Sequence, residues 1–134
     1  MANLGKIPIA HVRVCDQAIQ TVDDHLLETA KWSEAFASRI GLPNSGRLVG
    51  LLHDLGKYSQ EFQDYIRDVT GLNGDDAVVS AKDRQGKIDH ATAGAQVVWY
   101  ARNSKRISTA LAQILSVVIM SHHSRSKRPD DVKS

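Results

Sequence analysis

Apolar residues recur every three or four positions along most of the 134-residue chain, which is the spacing of amphipathic helices. Capping residues, glycines and prolines interrupt this spacing and divide it into separate segments. The predicted helices cover residues 21–41, 44–56, 59–71, 90–102 and 108–121. The predicted fold class is therefore all-α.

Several local features refine this prediction. Residues 7–14 have an extended character, because Pro8 opposes helix formation. Residues 72–87 contain glycines and mixed charges and are predicted to form a loop. Gly56 is predicted to end the second helix in the left-handed conformation. The last helix is apolar on most sides, which predicts that it lies buried in the middle of a bundle.

Composition narrows the class of protein. Cys15 is the single cysteine, so neither an internal disulfide nor a thiolate metal site is expected. No apolar run is long enough to span a membrane, and the first residues lack the features of a signal peptide, so a cytoplasmic location is expected.

The net charge of +2 is too small to indicate nucleic-acid binding, but the cations are unevenly distributed. No acidic residue lies between Trp99 and Arg128, and such a basic segment can attract phosphates. A solvated helix end followed by a tail explains the same charges equally well. The candidate nucleic-acid-binding residues are Arg102, Lys105, Arg106, Arg125, Lys127 and Arg128.

Histidine is the unusual component of the composition. Five of the six histidines lie in or at the end of an otherwise apolar predicted helix: His25, His53, His90, His122 and His123. A lone histidine in such a place is more often a hydrogen-bonded core residue than a ligand. Together with a carboxylate, however, several imidazoles suit Mn, Fe, Co, Ni or Zn, and helical bundles hold metals between facing helices. The joint placement indicates a metal site.

The most specific segment is LLHDLGK, residues 51–57. His53 and Asp54 leave a helix about 100° apart, on adjacent faces. Lys57 follows one turn later, where its ammonium group could neutralise phosphate charge. A helix-end cation that interacts with the helix dipole is the alternative interpretation of Lys57.

The string HDLGK, preceded by His25 in a helix, resembles the HD superfamily of metal-dependent phosphohydrolases. HDLGKYSQEFQDYI (53–66), IDHATAGA (88–95) and SHHS (121–124) resemble, in that order, the HD nuclease domain of CRISPR-associated Cas3 proteins. IPIAHVRV (7–14) and QTVDDHLLETA (20–30) are most similar to the type I-C branch. The resemblance covers residues from about Pro8 to Ser124 and implies an HD-domain helical bundle with a metal site between helices.

The resemblance also implies two divalent transition-metal ions, namely Mn, Fe, Co or Ni, with Mg or Zn as alternatives. His25, His53 and Asp54 would hold the first ion. Asp54 would bridge to a second ion, whose other ligands would be His90, His122 and His123. Lys57 would lie near the scissile phosphate, and His11 is interpreted as a residue that supports the ligands. Two such ions about 4 Å apart can activate water and stabilise the leaving oxygen.

The function implied is an endonuclease and exonuclease that degrades single-stranded DNA in CRISPR antiviral defence. Its partners would be a helicase portion, in the same or a separate chain, and the Cascade effector complex. The family pattern includes an aspartate well downstream of the double histidine, which this sequence lacks. We therefore expect residues 1–134 to form one HD domain truncated before its last helices, without the helicase portion.

Two other functions remain open from the sequence. An HD phosphohydrolase of nucleotides or cyclic nucleotides would need a closed small-molecule pocket. A catalytically inert metal-binding fragment would bind ions and DNA without turnover. Missing helices would also leave part of the core uncovered, so we expect marginal stability or association through the uncovered face.

Overall fold

The computed structural model describes residues 7–122. Two short antiparallel strands, β1 (Ile9–Val12) and β2 (Ile19–Thr21), precede the helices. The helices are α1 (Val22–Ser38), α2 (Pro43–Leu52), α3 (Gln60–Val69), α4 (Asp75–Ala81), α5 (Thr92–Asn103) and α6 (Thr109–Ser121). Short 3-10 helices cover Leu55–Tyr58 and Lys82–Arg84. The prediction of an all-α fold is confirmed. No described helix is both long and apolar enough to cross a membrane.

Helices α1 and α2 pack closely because glycines line the contact. A Cβ atom on Gly50 would lie 2.5 Å from the Cα atom of Ala30, and one on Gly46 would lie 2.3 Å from the carbonyl oxygen of Ser33. The order of these contacts makes the two helices antiparallel. The end of α2 is thereby fixed beside the first turns of α1.

The main hydrophobic core lies between the end of α2 and the helices α5 and α6. Its buried residues are Leu52, Val98, Ala112, Leu115 and Ile119. A second, smaller cluster joins β1 to α1 through Ala10, Val22 and Leu26, and Leu55 packs against both clusters. The two cores therefore meet at the segment that follows α2.

Three details of the predicted elements are wrong. The segment Leu72–Lys87 is not a loop throughout, because it contains α4 and the 3-10 helix that follows. Helix α2 ends at Leu52, and Gly56 lies inside a 3-10 helix rather than in the left-handed conformation. The fourth predicted helix begins at His90, whereas α5 begins at Thr92, so His90 precedes the helix. The Asp89 carboxylate accepts hydrogen bonds from the backbone N–H groups of Ala91 and Thr92 at this point.

Helix α6 is not buried on all sides, contrary to the prediction. Leu115 and Ile119 face the core, whereas Ile114 and Val117 are 62% and 66% exposed. Within the described residues, α6 packs chiefly against α5 and the end of α2, so its outer face has no covering helix.

Candidate metal centre

Asp54 lies just after α2 at the junction of the two cores, and only 3% of its surface is exposed. Three side chains of the described residues lie close to one oxygen of its carboxylate, Oδ2. His25 Nε2 from α1 and Lys57 Nζ from the 3-10 helix each lie 2.9 Å away. His53 Nε2 lies 3.3 Å from the same oxygen.

The second oxygen, Oδ1, faces the other side of the bundle. His122 Nε2, at the end of α6, lies 2.9 Å from it, and His90 Nε2, just before α5, lies 3.7 Å away. Side chains far apart in the sequence thus converge on one buried carboxylate. The structure brings together every predicted metal-binding residue that lies within the described part of the chain.

Backbone carbonyl groups orient three of the imidazoles. His53 Nδ1 lies 2.8 Å from the carbonyl oxygen of Gly50, and His90 Nδ1 lies 3.1 Å from that of Ile88. His122 Nδ1 makes the same kind of contact with the carbonyl oxygen of Ile119. A carbonyl can only accept, so each Nδ1 donates, and the Nε2 atom of each ring is left to face the Asp54 carboxylate, where it can carry a proton or bind a cation.

The arrangement of the Nε2 atoms around Asp54 makes the cluster suited to a cation. His53 Nε2 lies 3.1 Å from His25 Nε2 and faces the Asp54 carboxylate. Unprotonated nitrogens and carboxylate oxygens repel one another unless a proton or a cation lies between them. Imidazole and carboxylate are also the ligands that first-row transition metals accept, and a carbonyl on the second ring nitrogen is the usual support of a metal-binding histidine. The residues therefore fit divalent metal binding.

Two subsets of the cluster have ligand atoms within 4.8 Å of one another. One consists of His53, Asp54 and His122, and the other of His11, His25 and Asp54. Asp54 belongs to both subsets, but these subsets differ from the two ligand sets that the resemblance implied, because His53 is grouped with His122 and His25 with His11.

The cluster keeps Asp54 ionised. Burial by itself would raise the pKa of Asp54, but hydrogen bonds from His25, His53 and Lys57 outweigh it and hold the pKa far below its usual range. Burial lowers the pKa of His53, yet the hydrogen bond and charge of Asp54 raise it above its usual value overall. Burial, followed by the charges of Lys57 and His25, lowers the pKa of His11 to about 4.

Gly56 determines how closely His90 approaches. The Gly56 N–H donates a 3.0 Å hydrogen bond to the His90 carbonyl oxygen. A Cβ atom on Gly56 would lie 2.5 Å from the Cα atom of His90. The glycine of the HDLGK string is thus needed for close backbone approach, which brings the segment before α5 to the site.

The sequence indicated His11 only as a residue that supports the ligands, without showing which side chains it contacts. Its Nε2 atom lies 3.0 Å from Lys57 Nζ, and its ring lies edge-on to that of His25, with ring centroids 4.8 Å apart. His11 therefore belongs to the cluster itself. Its position in the string IAHVR gave the only signal, because no helical spacing relates a strand residue to a lysine 46 positions later.

The three predicted nucleic-acid-binding cations within the described residues do not lie at this site. Arg102, Lys105 and Arg106 lie around the turn between α5 and α6, at the opposite end of α6 from His122. Since α6 has 13 residues, this separation is about 20 Å. The remaining predicted site residues, His123, Arg125, Lys127 and Arg128, lie outside the described residues.

Comparison with known protein families identifies the chain. The sequence model described as "Cas3, HD domain" matches residues 16–134. The chain belongs to the Cas3 HD domain family. No curated protein and no solved structure matches it. The predicted family is thereby confirmed, whereas the similarity to the type I-C branch stays a prediction.

Membership of this family accounts for both the helical bundle and the cluster of residues around Asp54. The helices form a Cas3 HD domain, and Asp54 with His53 is the His-Asp pair of the HDLGK string. Membership of the Cas3 HD family indicates a metal-dependent hydrolase, and more narrowly a nuclease that acts in CRISPR defence. The imidazoles and carboxylate around Asp54 are consistent with the metal requirement.

Proposed function

We propose that this Cas3 HD domain is a metal-dependent nuclease that hydrolyses phosphodiester bonds of single-stranded DNA. The observation that supports it most directly is the set of imidazole nitrogens directed at the two oxygens of Asp54. His25, His53 and Asp54 would hold one ion, and Asp54 with His90 and His122 would hold a second. His123 is proposed as a further ligand.

Divalent transition-metal ions, when bound, would supply the Lewis acidity that phosphodiester hydrolysis requires. The chain's own residues would prepare the site for them. Asp54 remains a carboxylate because Lys57 and the imidazoles stabilise its charge. The Lys57 ammonium group would also place a fixed positive charge beside the scissile phosphate.

The cluster is accessible in a way that suits a long substrate. The side chains of His25, His90 and His122 remain 17–22% exposed, so the cluster is partly open to solvent. A strand could therefore reach the site from solvent. In the cell, we propose that it is supplied in the cytoplasm by a helicase portion and the Cascade complex, as part of antiviral defence.

Cleavage of circular single-stranded DNA tests this proposal. The chain would be incubated with Mn²⁺, Co²⁺, Ni²⁺, Mg²⁺ or EDTA, beside Asp54→Ala and the control Asp76→Ala, which removes an exposed acid from α4. Because the metal contribution is several kcal/mol, Asp54→Ala should lower the cleavage rate at least about 100-fold. Asp76→Ala should cleave at the rate of the unmodified chain.

Two parallel measurements separate the alternatives. Turnover of dNTPs or cyclic dinucleotides without DNA cleavage would contradict the proposal and support a nucleotide phosphohydrolase. Metal binding by calorimetry without turnover of any substrate would also contradict it and support an inert metal-binding domain. If EDTA does not slow DNA cleavage and Asp54→Ala cleaves as fast as the unmodified chain, this site is not the source of the activity.

A further inference from the structure

Lys57 is held on several sides. Only 3% of it is exposed, its Nζ atom lies 2.9 Å from Asp54 Oδ2, and the ring of Phe62 lies 5.6 Å from the ammonium group. The third neighbour is His11 Nε2 at 3.0 Å. An ammonium group can only donate, so this imidazole nitrogen accepts. The direction of the Lys57 side chain thus depends on a residue from a different element.

A buried glutamine fixes the backbone on both sides of this contact. Gln63 Oε1 accepts a 2.8 Å hydrogen bond from Ile9 N–H, and Gln63 Nε2 donates to the carbonyl oxygens of Ile9 at 2.9 Å and Lys57 at 2.7 Å. One amide group therefore ties β1 to the 3-10 helix that carries Lys57. The spacing between His11 and Lys57 is set by the fold rather than by two mobile side chains.

The local shape of β1 also favours this contact. The pairing of β1 with β2 has a register shift between Ile9 and His11. Such irregularities change the direction of the following side chain and are frequent next to active sites. Here the side chain that follows the shift is the one that meets Lys57.

We propose that His11 is a positioning residue, which holds the Lys57 ammonium group against Asp54 without binding metal itself. This inference rests on the proposed nuclease function. Without His11, the ammonium group would lose one of its two hydrogen-bond acceptors and turn away from the carboxylate. The charge beside the metal ligands would then no longer be fixed, and errors of about 1 Å in such groups are costly in rate.

The competing interpretation is that His11 is itself a metal ligand, since its ligand atom lies near those of His25 and Asp54. A pair of variants separates the two roles. His11→Ala removes both functions. His11→Gln restores a carbonyl acceptor for Lys57 but replaces the imidazole with a poor ligand for transition metals.

Three measurements would be made on the unmodified chain, His11→Ala and His11→Gln. For cleavage of single-stranded DNA, the kcat of His11→Ala should be about 10- to 100-fold lower, with KM nearly unchanged. The kcat of His11→Gln should be close to that of the unmodified chain. Mn²⁺ affinity, measured by calorimetry, should be nearly the same in all three. The Lys57 ammonium resonance, observed in ¹⁵N-lysine-labelled chain without metal, should be lost only in His11→Ala, with Lys57→Met used to assign it.

The results that would contradict the inference can be told apart from one another. A large loss of Mn²⁺ affinity in both variants would overturn the inference and make His11 a ligand. An unchanged ammonium resonance in His11→Ala would show that Lys57 does not need His11. If the unmodified chain cleaves no DNA, the proposed function fails, but the resonance and the Mn²⁺ affinities still decide whether His11 positions Lys57.

Discussion

Among single residues, Tyr58 links the segment that carries Lys57 to the helix that carries His25. Its hydroxyl donates a hydrogen bond to the carboxylate of Asp23 in the first turn of α1. Burial, together with this hydrogen bond and the charge of Asp23, raises the pKa of Tyr58 to about 12 from its ordinary value of 10.0. A raised pKa means that folding favours the protonated hydroxyl. Its contribution to stability is therefore complete below pH 10 and is lost as the pH rises through about 12.

Replacing Tyr58 with Phe tests this link. Because Tyr58 is partly exposed, we expect the free energy of unfolding at neutral pH to fall by about 0.5–1 kcal/mol. The decline of stability at alkaline pH should also become shallower. Urea unfolding between pH 7 and pH 11 measures both effects. Tyr100→Phe, at a site that is 71% exposed, is the control, and an equal effect of the two substitutions would exclude a specific role for Tyr58.

The joint placement of residues showed more of the site than any single residue did. A metal site that includes His25, His53 and Asp54 could be inferred because several imidazoles and a carboxylate lie in or at the ends of apolar helices. The burial of Lys57 could not, since a lysine at a helix end is usually solvated. Its contact with His11 depends on how β1 packs, and no local pattern encodes that packing.

At the scale of elements, Gly94 allows α5 to cross close to α2 and α6. A Cβ atom at this position would lie 2.0 Å from the carbonyl oxygen of Leu52 and 3.1 Å from Cγ2 of Ile119. Leu52 directly precedes His53 and Asp54, and Ile119 lies one turn before His122. The close crossing therefore holds two groups of site residues at their observed separation.

Gly94→Ala should consequently destabilise the chain, although alanine is the better helix former. Overpacking at such a contact costs about 1–3 kcal/mol, compared with a gain of at most about 1 kcal/mol in helix propensity. We also expect weaker Mn²⁺ binding, because α5 must move away from the end of α2 and would take the preceding His90 with it. Urea unfolding and calorimetry measure these effects. Gln96→Ala, an exposed position on the same helix, is the control, and a Gly94→Ala variant as stable as Gln96→Ala would disprove the packing argument.

The helices themselves could largely be predicted from periodicity and capping residues. Ser59 and Ser108, at which two of the predicted helices begin, cap α3 and α6 through their side chains. Helix α4 was missed because its seven residues are too few to show a period and follow directly after Gly74. The environment of α6 was predicted wrongly because an apolar surface does not show which neighbour covers it.

For the molecule as a whole, the site exists only when the entire fold is assembled. Asp54 contacts residues 29 positions before it and 68 positions after it. Contacts of this length require the two cores to form together, so binding of metal to the assembled site should stabilise the folded chain. The sequence could suggest which residues converge, but the convergence itself depends on the packing of α1, α2 and α6.

The outer face of α6 gives a prediction for the whole molecule. Ile114, Val117, Val118 and Met120 are all exposed there, and adjacent exposed apolar side chains favour association. We expect the chain to self-associate at high micromolar concentration in sedimentation velocity experiments. Val117→Lys should shift the distribution towards monomer by placing a charge in the contact. Val14→Lys, at an 88% exposed position away from α6, is the control and should not change the distribution. An unmodified chain that is strictly monomeric at every concentration would contradict the prediction.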